Sequence, residues 1–374
     1  MTERAARVSR GYAAVLAAVL LASLAAKEET RESPLPEGVA PFDAKPLMDK
    51  VAERIQTDKY RFAVLGDARH AKTFPALVSY LYETVKPDFL LDTGDMVQAG
   101  NGKAGIGYWH KLAKESGDAM RQIPWWQALG NHEMLGGAPP KKTRMEDDEE
   151  DDDDQAASGG AAEAANFRRF YNLEREYYSF TFRNAAFIVL PYRYPKGESE
   201  EWLERELKKA SAARKHIFIL NHCPFFTVGN KSKQDIPNEQ TSVTQLFARY
   251  SVCAVFSGHD HVYYRTVRDG IPYIISAGGG ARVYTVTRKR EALPADVYYG
   301  AAPESEKPKK DADTGKSVTP KKRYVLHNGA TGQPDRITAD PGQFAVVVDV
   351  DGKDVQMFCV TAKGETMDEM VLAK

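Results

Sequence analysis

Four consecutive residues in the last third of the chain, Gly258-His259-Asp260-His261, place two imidazoles at i and i+2. They follow directly on the apolar run Val252-Cys253-Ala254-Val255-Phe256. At the end of a buried strand, two such rings can both reach one metal centre. Only eight histidines occur in 374 residues, so the pairing is informative. Four further motifs have the same character: Leu65-Gly66-Asp67, Asp92-Thr93-Gly94-Asp95, Leu129-Gly130-Asn131-His132-Glu133 and Asn221-His222. The donors they offer are hard carboxylates (Asp67, Asp95), an amide oxygen (Asn131) and imidazoles (His222, His259, His261). That mixture suits Mn, Fe or Zn better than calcium or a thiolate-bound metal. Any one of these motifs arises often by chance. Five in this order, each behind a strand-like run, form a strong signal for metal-assisted cleavage of a phosphoester.

The elements that must position these residues are legible from periodicity. Tyr60 to Leu65, Phe89 to Leu91 and Trp125 to Leu129 are short apolar runs, each ending at a motif. Between the first two, Leu77, Val78, Leu81, Tyr82 and Val85 keep a helical period that Lys86-Pro87 stops. A second helix is expected over Tyr108 to Lys114, after a loop from Gly100 to Gly107. Strands alternating with helices predict an α/β sheet. In such a sheet the ligands converge in the crevice at the carboxyl ends of the strands. Further on, Tyr177–Phe182 and Ala185–Leu190 predict a hairpin, Ser199–Ala212 a helix, His216–Leu220 a strand and Val243–Tyr250 a helix. Val262–Val267 and Ile271–Ile275 predict a hairpin across Asp269-Gly270. The closing strands are Phe344–Val350 and Val355–Val360, joined at Asp351-Gly352.

Two stretches do not fit the sheet. Glu146 to Asp154 is an unbroken acid run, and like charges at that density repel and stay solvated, so 138–164 reads as a disordered loop. Pro294 to Pro341, rich in Lys, Pro, Asp and Gly, reads as a second disordered insertion. At the other end, Arg4, Arg7 and Arg10 precede an uncharged, Ala/Val/Leu-rich stretch ending in small residues at Ser23, Ala25 and Ala26. This pattern predicts a signal peptide over 1–26 and export to a periplasmic or extracellular space. Retention as an uncleaved anchor is the alternative, although the stretch is shorter than the roughly 20 residues of a membrane-spanning helix. Residues 27–58 read as an extended lead-in, and 59–374 as one domain.

A formal net charge of −1 with 28% charged residues excludes a field spread over the whole protein, so nothing signals nucleic acid as partner. Membrane contact is expected only through the export signal, and nothing in the sequence sets the oligomeric state. Cys223, Cys253 and Cys359 are too few for a disulfide framework. Cys253 and Cys359 read as buried strand residues, and Cys223 as a small apolar filler before Pro224.

In these motifs the chain resembles the calcineurin-like metallophosphoesterases. Their pattern runs Asp-x-His, Gly-Asp, Gly-Asn-His-Asp/Glu, His and Gly-His-x-His, and the match extends from about Tyr60 to Gly280 and resumes at Phe344. The resemblance implies a four-layer α/β/β/α sandwich: two mixed sheets flanked by helices, with the metal site at the carboxyl ends of the strands. It implies two divalent or trivalent ions, with Asp95 bridging them. Asp67 and His261 would complete the first site, and Asn131, His222 and His259 the second. His132 would contact the phosphate and assist the leaving group. The substrate class is a small-molecule or macromolecular phosphate monoester or diester, attacked at phosphorus by a metal-bridging hydroxide. Gly258 to Arg265 is also similar to the purple acid phosphatases, which carry a tyrosine three residues after the second-motif Asp. Here that position is Gln98, so a tyrosinate–ferric site is not expected.

One departure stands out. Arg69 occupies the place of the first motif's histidine, and a guanidinium stays protonated and cannot ligate. Three readings of it stand open: a grip on substrate phosphate, a structural ion pair, or a weakened first metal site. The last supports a rival function, a binding or scaffold protein without catalysis. His70 reads as a surface residue that a loop shift could turn into a ligand. Glu133 either orients His132 or faces solvent. Asp260 should point away from its flanking ligands. Trp125 and Trp126 read as core, and Gly278-Gly279-Gly280 as a loop that could bring backbone close to substrate.

Overall fold

In strand β1 (Lys59–Leu65), Tyr60, Phe62 and Val64 face one way, Ala63 and Leu65 the other, and both faces are buried. A strand covered on both faces must lie between two layers. The same holds for β2 (Phe89–Asp92), whose four residues are all buried. The computed structural model describes residues 42–116, 119–136, 164–192, 194–213, 215–229, 242–287, 289, 292–302, 309–310, 317–318, 323–338 and 342–373. The expected signal peptide and the acid run therefore lie outside the described residues.

The remaining strands are β3 (Trp125–Gln127), β4 (Tyr178–Phe182), β5 (Ala185–Val189), β6 (His216–Leu220), β7 (Ala254–Ser257), β8 (Tyr263–Arg268), β9 (Ile271–Ser276) and β10 (Val297–Ala301). They continue with β11 (Lys309–Lys310), β12 (Ser317–Val318), β13 (Tyr324–Asn328), β14 (Arg336–Thr338), β15 (Phe344–Asp351), β16 (Asp354–Thr361) and β17 (Thr366–Ala373). Six form one sheet, ordered β17-β16-β15-β1-β2-β3, with β1, β2 and β3 parallel. Nine form the other, ordered β14-β13-β10-β8-β9-β7-β6-β5-β4, with β5, β6, β7 and β9 parallel. The strands β11 and β12 pair only with each other.

Between the sheets, Phe62, Phe89 and Val346 from the first meet Phe187, Phe218 and Phe256 from the second. The ring of Phe62 sits edge-on to Phe187 at 5.4 Å and to Phe218 at 5.2 Å. The outer face of the first sheet is covered by helices Phe74–Tyr80, Gly102–Glu115 and Ala165–Tyr171, through residues such as Leu77, Trp109 and Phe167. Helices Glu198–Ala212 and Ser242–Arg249 cover the second through Leu203, Leu207 and Phe247. The result is the four-layer α/β/β/α sandwich of two mixed sheets. The Asp269-Gly270 turn has positive φ at both residues (51° and 78°), as a two-residue hairpin requires. Among the described residues, no helix is long and apolar enough to cross a membrane.

Four expectations need correction. The stretch Gly100 to Gly107 is not a loop: the helix starts at Gly102, with Asn101 accepting from the Gly102 amide at 2.7 Å. Gly105 costs helix propensity, but a Cβ there would lie 2.2 Å from Gly100 O, so close approach outweighs propensity. The lead-in contains a helix, Lys45–Arg54, that buries Met48 and Val51. The insertion 294–341 is not outside the sheet, since it supplies β10, β13 and β14 to one edge. Its described apolar residues (Val297, Tyr299, Leu326) join the layer between the sheets. Finally, Cys253 is only half-buried and precedes its strand; it, Cys223 and Cys359 are all free thiols.

Strand β17 was not expected at all, and a buried ion pair holds it. Arg265 donates from Nε and Nη2 to the two oxygens of Asp368 (2.5 and 3.1 Å), and the Tyr263 hydroxyl donates to Asp368 Oδ2 at 2.6 Å. Arg265 and Tyr263 lie on the strand that leaves the Gly-His-Asp-His turn, so this pair ties the second sheet to the first. Removing one partner leaves a buried charge unmatched. Asp368→Ala is expected to lower stability by about 3–5 kcal/mol in urea unfolding, and Tyr263→Phe by about 1 kcal/mol. A loss under about 1 kcal/mol for Asp368→Ala would show that the pair carries little of the link.

Candidate metal centre

Five strand ends meet at one place. From the first sheet, β1 delivers Asp67, β2 delivers Asp95, and β3 delivers Asn131 and His132. From the second, β6 delivers His222, and β7 delivers His259 and His261. Glycines let these turns approach one another. A Cβ at Gly66 would lie 1.9 Å from Thr93 Oγ1, one at Gly130 would lie 2.2 Å from Asp95 Oδ1, and one at Gly258 would lie 2.5 Å from Asp67 Oδ2. The backbone is strained here as well. Asp67, Arg69, His70, Asp95 and His259 have φ between 43° and 67°. They are half of the ten non-glycine residues with positive φ among those described. Each costs on the order of 1 kcal/mol, which surrounding structure must offset.

The side chains converge. His222 Nε2 lies 3.0 Å from Asn131 Oδ1 and 3.4 Å from Asp95 Oδ1. His259 Nδ1 lies 3.2 Å from both Asn131 Oδ1 and His222 Nε2. On the other side of Asp95, His261 Nε2 lies 3.4 Å from Asp67 Oδ1. Backbone carbonyls set which ring nitrogens face inward. Nδ1–H of His222 donates to Thr93 O (2.8 Å), that of His261 to Arg282 O (2.9 Å) and that of His132 to Gln98 O (2.7 Å). A carbonyl only accepts, so the proton sits on Nδ1 and the Nε2 lone pair points into the cluster. The His261 ring is further fixed by stacking on Tyr284, with centroids 4.1 Å apart.

These donors fit a cation. Imidazole lone pairs, an amide oxygen and carboxylates repel at such distances unless positive charge lies between them. Asp67 Oδ2 is buried without a hydrogen-bond partner, a costly state that a cation would relieve. The titration behaviour of the cluster points the same way. Burial works to raise Asp95, yet His222 and His132, with a contribution from Arg69, hold it far below the usual carboxylate range. Burial likewise opposes charge on His222, but Asp95, with Asp67 and Glu133 adding, carries that imidazole up to about 10. Positive charge is what the cluster demands, and a divalent ion supplies it in place of the proton. Among the described residues, Asp95, His222 and His259 form a group of three whose ligand atoms all lie within 4.8 Å of one another.

All six expected ligands and His132 are therefore brought together. Arg69 is half-buried beside them; its amide donates to Asp95 O at 3.0 Å, and its charge reaches Asp95. Other expectations are corrected. His70 is neither a ligand nor at the surface: it is buried, with Nδ1 2.9 Å from Glu115 Oε2. Glu133 neither holds the His132 ring nor faces solvent. It is fully buried, and accepts from the amides of Asp95 (2.8 Å), Met96 (2.9 Å) and Gly130 (2.8 Å). Burial first and then Asp95 push Glu133 up to about 7, while those amides pull it back. Gly278 and Gly279 approach Phe344 and the Gly66 turn so closely that a Cβ would clash. Asp260 accepts from the Thr227 hydroxyl and so ties its turn to the loop after His222. Cys223, Trp125 and Trp126 are core, as expected.

Asp92 was missed. It is buried, accepts from the Gly94 amide (2.8 Å) and the Trp125 indole (3.0 Å), and shapes the turn that carries Asp95. Its signal was present: an Asp two residues before a glycine, at a strand end.

Comparison with known proteins agrees with this geometry. Residues 60–263 match the model of the calcineurin-like phosphoesterase family. A stretch of 89 residues is 32% identical to the serine/threonine-protein phosphatase CPPED1 of Danio rerio, covering 22% of this chain and 29% of that protein. The purple acid phosphatase PPD1 of yellow lupin (Lupinus luteus) superposes with a TM-score of 0.57 at 14% identity, over 84% of this chain and 54% of that one. GAP50, the anchor in the inner membrane complex of Plasmodium, superposes with a TM-score of 0.51 at 16% identity, over 85% and 89%. The last two likenesses show a shared fold. The chain belongs to the calcineurin-like phosphoesterase family, a class of phosphoric ester hydrolases.

Glu133 Oε2 accepts from the amides of both Asp95 and Gly130 and so holds the two turns in register, while Oε1 accepts from Met96. Glu133→Gln keeps one acceptor and turns an NH2 toward amides. A loss of Mn²⁺ affinity of about 10–100-fold is expected in calorimetric titration. Unchanged affinity would show that the turns hold their register without it.

Proposed function

We propose that the protein is an exported, divalent-metal-dependent hydrolase of phosphate monoesters or diesters. The observation that carries this reading is the convergence of carboxylate, amide and imidazole donors from both sheets around Asp95, with His132 beside them. Asp67, Asp95 and His261 are assigned to one ion; Asp95, Asn131, His222 and His259 to a second; Mn, Fe and Zn suit the donor set. Such ions supply Lewis-acid activation of water and neutralise charge on the phosphoryl oxygens.

The remaining work falls to the chain's own groups. The Asp95 carboxylate accepts from the His132 amide at 2.9 Å, so the carboxylate that would hold the ions and the turn that carries the acid are built as one unit. The His132 ring gives Nδ1–H to Gln98 O and turns Nε2 toward Asp95 Oδ2, 3.9 Å away. With Nδ1 committed, Nε2 is the atom that carries a proton to the departing oxygen. Arg69, where the family pattern has a ligand, offers a planar fork that suits two phosphoryl oxygens. Export rests on the basic, apolar and small-residue pattern of residues 1–26. The mature chain is expected to begin near Lys27, which mass spectrometry of the secreted protein would read.

Arg69 also favours a second reading, a non-catalytic scaffold with one weakened site. His132 opposes it, since a scaffold has no use for an acid held in that position. Purified protein should contain metal by elemental analysis and hydrolyse a chromogenic monoester or diester with Mn²⁺. His132→Ala should keep the metal and lower kcat by about 10²–10⁴-fold. Asp95→Ala should lose both metal and turnover. Absence of turnover in metal-loaded protein on both esters supports the scaffold instead.

A further inference from the structure

We propose that His70 is a positioning residue that, with Glu115 and Tyr108, fixes Arg69 for contact with the phosphoryl group; this rests on the reading of Arg69 given above. The turn after Asp67 is expensive. Asp67, Arg69 and His70 all have left-handed backbone (φ 60°, 43° and 59°), three non-glycine residues in four positions. At about 1 kcal/mol each, such conformations persist only where the surroundings over-determine them. Arg69 is pinned from one side by its amide on Asp95 O, at 3.0 Å. From the other side, the His70 side chain is only 2% exposed and its Nδ1 lies 2.9 Å from Glu115 Oε2. Its ring stacks on Tyr108 with centroids 5.4 Å apart and planes at 27°. Between these two anchors the backbone of Arg69, and with it the point from which its side chain departs, is held.

A histidine kept merely to fill space would be a poor choice here. Its Nε2 is buried with no hydrogen-bond partner, a cost that phenylalanine or leucine would avoid. The link to Glu115 is what the imidazole adds. Glu115 is itself steadied by Lys111, whose Nζ lies 3.4 Å from Oε1. Both Tyr108 and Glu115 belong to helix Gly102–Glu115, and the other end of that helix serves His132. There Gly100 donates to His132 O at 2.8 Å, Asn101 donates to Leu135 O at 3.0 Å, and the Trp109 indole donates to Gly100 O at 3.0 Å. One helix thus holds the Arg69 turn at its carboxyl end and the His132 turn at its amino end.

The test combines inorganic phosphate binding to Mn²⁺-loaded protein, by calorimetry, with kcat/KM on a chromogenic monoester. Arg69→Ala should weaken phosphate about tenfold, the scale of one lost charge-assisted hydrogen bond. His70→Phe, which keeps a ring against Tyr108, and Glu115→Ala should each weaken it by a comparable factor, with metal content unchanged. Glu115→Gln retains an acceptor for Nδ1–H and should stay near wild type. The decisive result is non-additivity: His70→Phe combined with Arg69→Ala should lose no more than Arg69→Ala alone. Losses that multiply, metal lost from His70→Phe, or full phosphate affinity in His70→Phe or in Arg69→Ala would each overturn the proposal. Should His70→Phe fail to fold, the half-exposed Glu115→Ala carries the same comparison. Wild-type protein that binds phosphate but cleaves no ester would sink the hydrolase reading, while the binding cycle still decides the role of His70.

Discussion

Acceptor atoms crowded to within 3.0–3.4 Å of one another dominate this molecule. Asp67 and Asp95 are buried, and three imidazoles and an amide oxygen press in at 3.0–3.4 Å. Left alone, such a cluster would spread or take up protons. It stays compact because the backbone leaves it no room to spread. The glycines of the motifs work here less as flexible joints than as gaps in the side-chain layer: each lets its turn lie against a residue of another motif. The arrangement is over-determined mechanically and under-compensated electrically, and a binding site for cations is the physical consequence of having both properties at once.

The mechanical half comes from the sheets. Parallel strands buried on both faces hold their carboxyl ends in fixed register, since sliding by one residue would exchange the inner and outer apolar sets. Phe62 and Ala63, for instance, belong to different packing layers. Two sheets are needed because neither alone supplies the donors: carboxylates and the amide come from the first, imidazoles from the second. The pairing of Arg265 with Asp368 and the Phe62 contacts with Phe187 and Phe218 are therefore not remote from the chemistry. They set the distance between the two halves of the site, and with it whether Asp95 can be shared.

What the sequence discloses divides along the same line. Strands ending in Gly-Asp or Gly-His are readable because the period, the glycine and the ligand are local in the chain. The candidate donors were legible from order and spacing, and their assignment to two ions came from the family resemblance. What escaped was non-local or ambiguous in composition. Glu133 looks like a helix-start acid, and its four amide partners lie in another strand's turn as well as its own. His70 follows Arg69 in a stretch with no apolar period, so nothing nearby says that a distant helix buries it. Strand β17, Thr366 to Ala373, mixes Asp and Glu into its pattern because Asp368 is matched by an arginine about a hundred residues away. The glycines of 102–107 suggested a loop, since propensity weighs against them; only a crossing backbone explains Gly105. The insertion 294–341 hides β10 and β13 because its Lys, Pro, Asp and Gly outweigh two short apolar runs in the overall composition.

The exchange of histidine for Arg69 changes the electrical half of the design more than the mechanical half. A neutral imidazole would add a fourth donor to the Asp67 side and leave the charge of the site unaltered. A guanidinium removes that donor and adds permanent positive charge beside Asp95, where its field already helps to keep the carboxylate ionised. On the ligand assignment proposed above, the two sides of Asp95 are unequal: three donors with a neighbouring cation on one, four donors on the other. Both effects of the arginine weaken attraction for an ion at Asp67, one by removing a lone pair and the other by Coulomb repulsion. Both also favour an anion there. A phosphate ester brings its own negative oxygens, and its arrival restores the balance that the arginine disturbs. On the function proposed above, the Asp67 side is the one that a substrate's negative oxygens would complete, since the protein supplies fewer donors there.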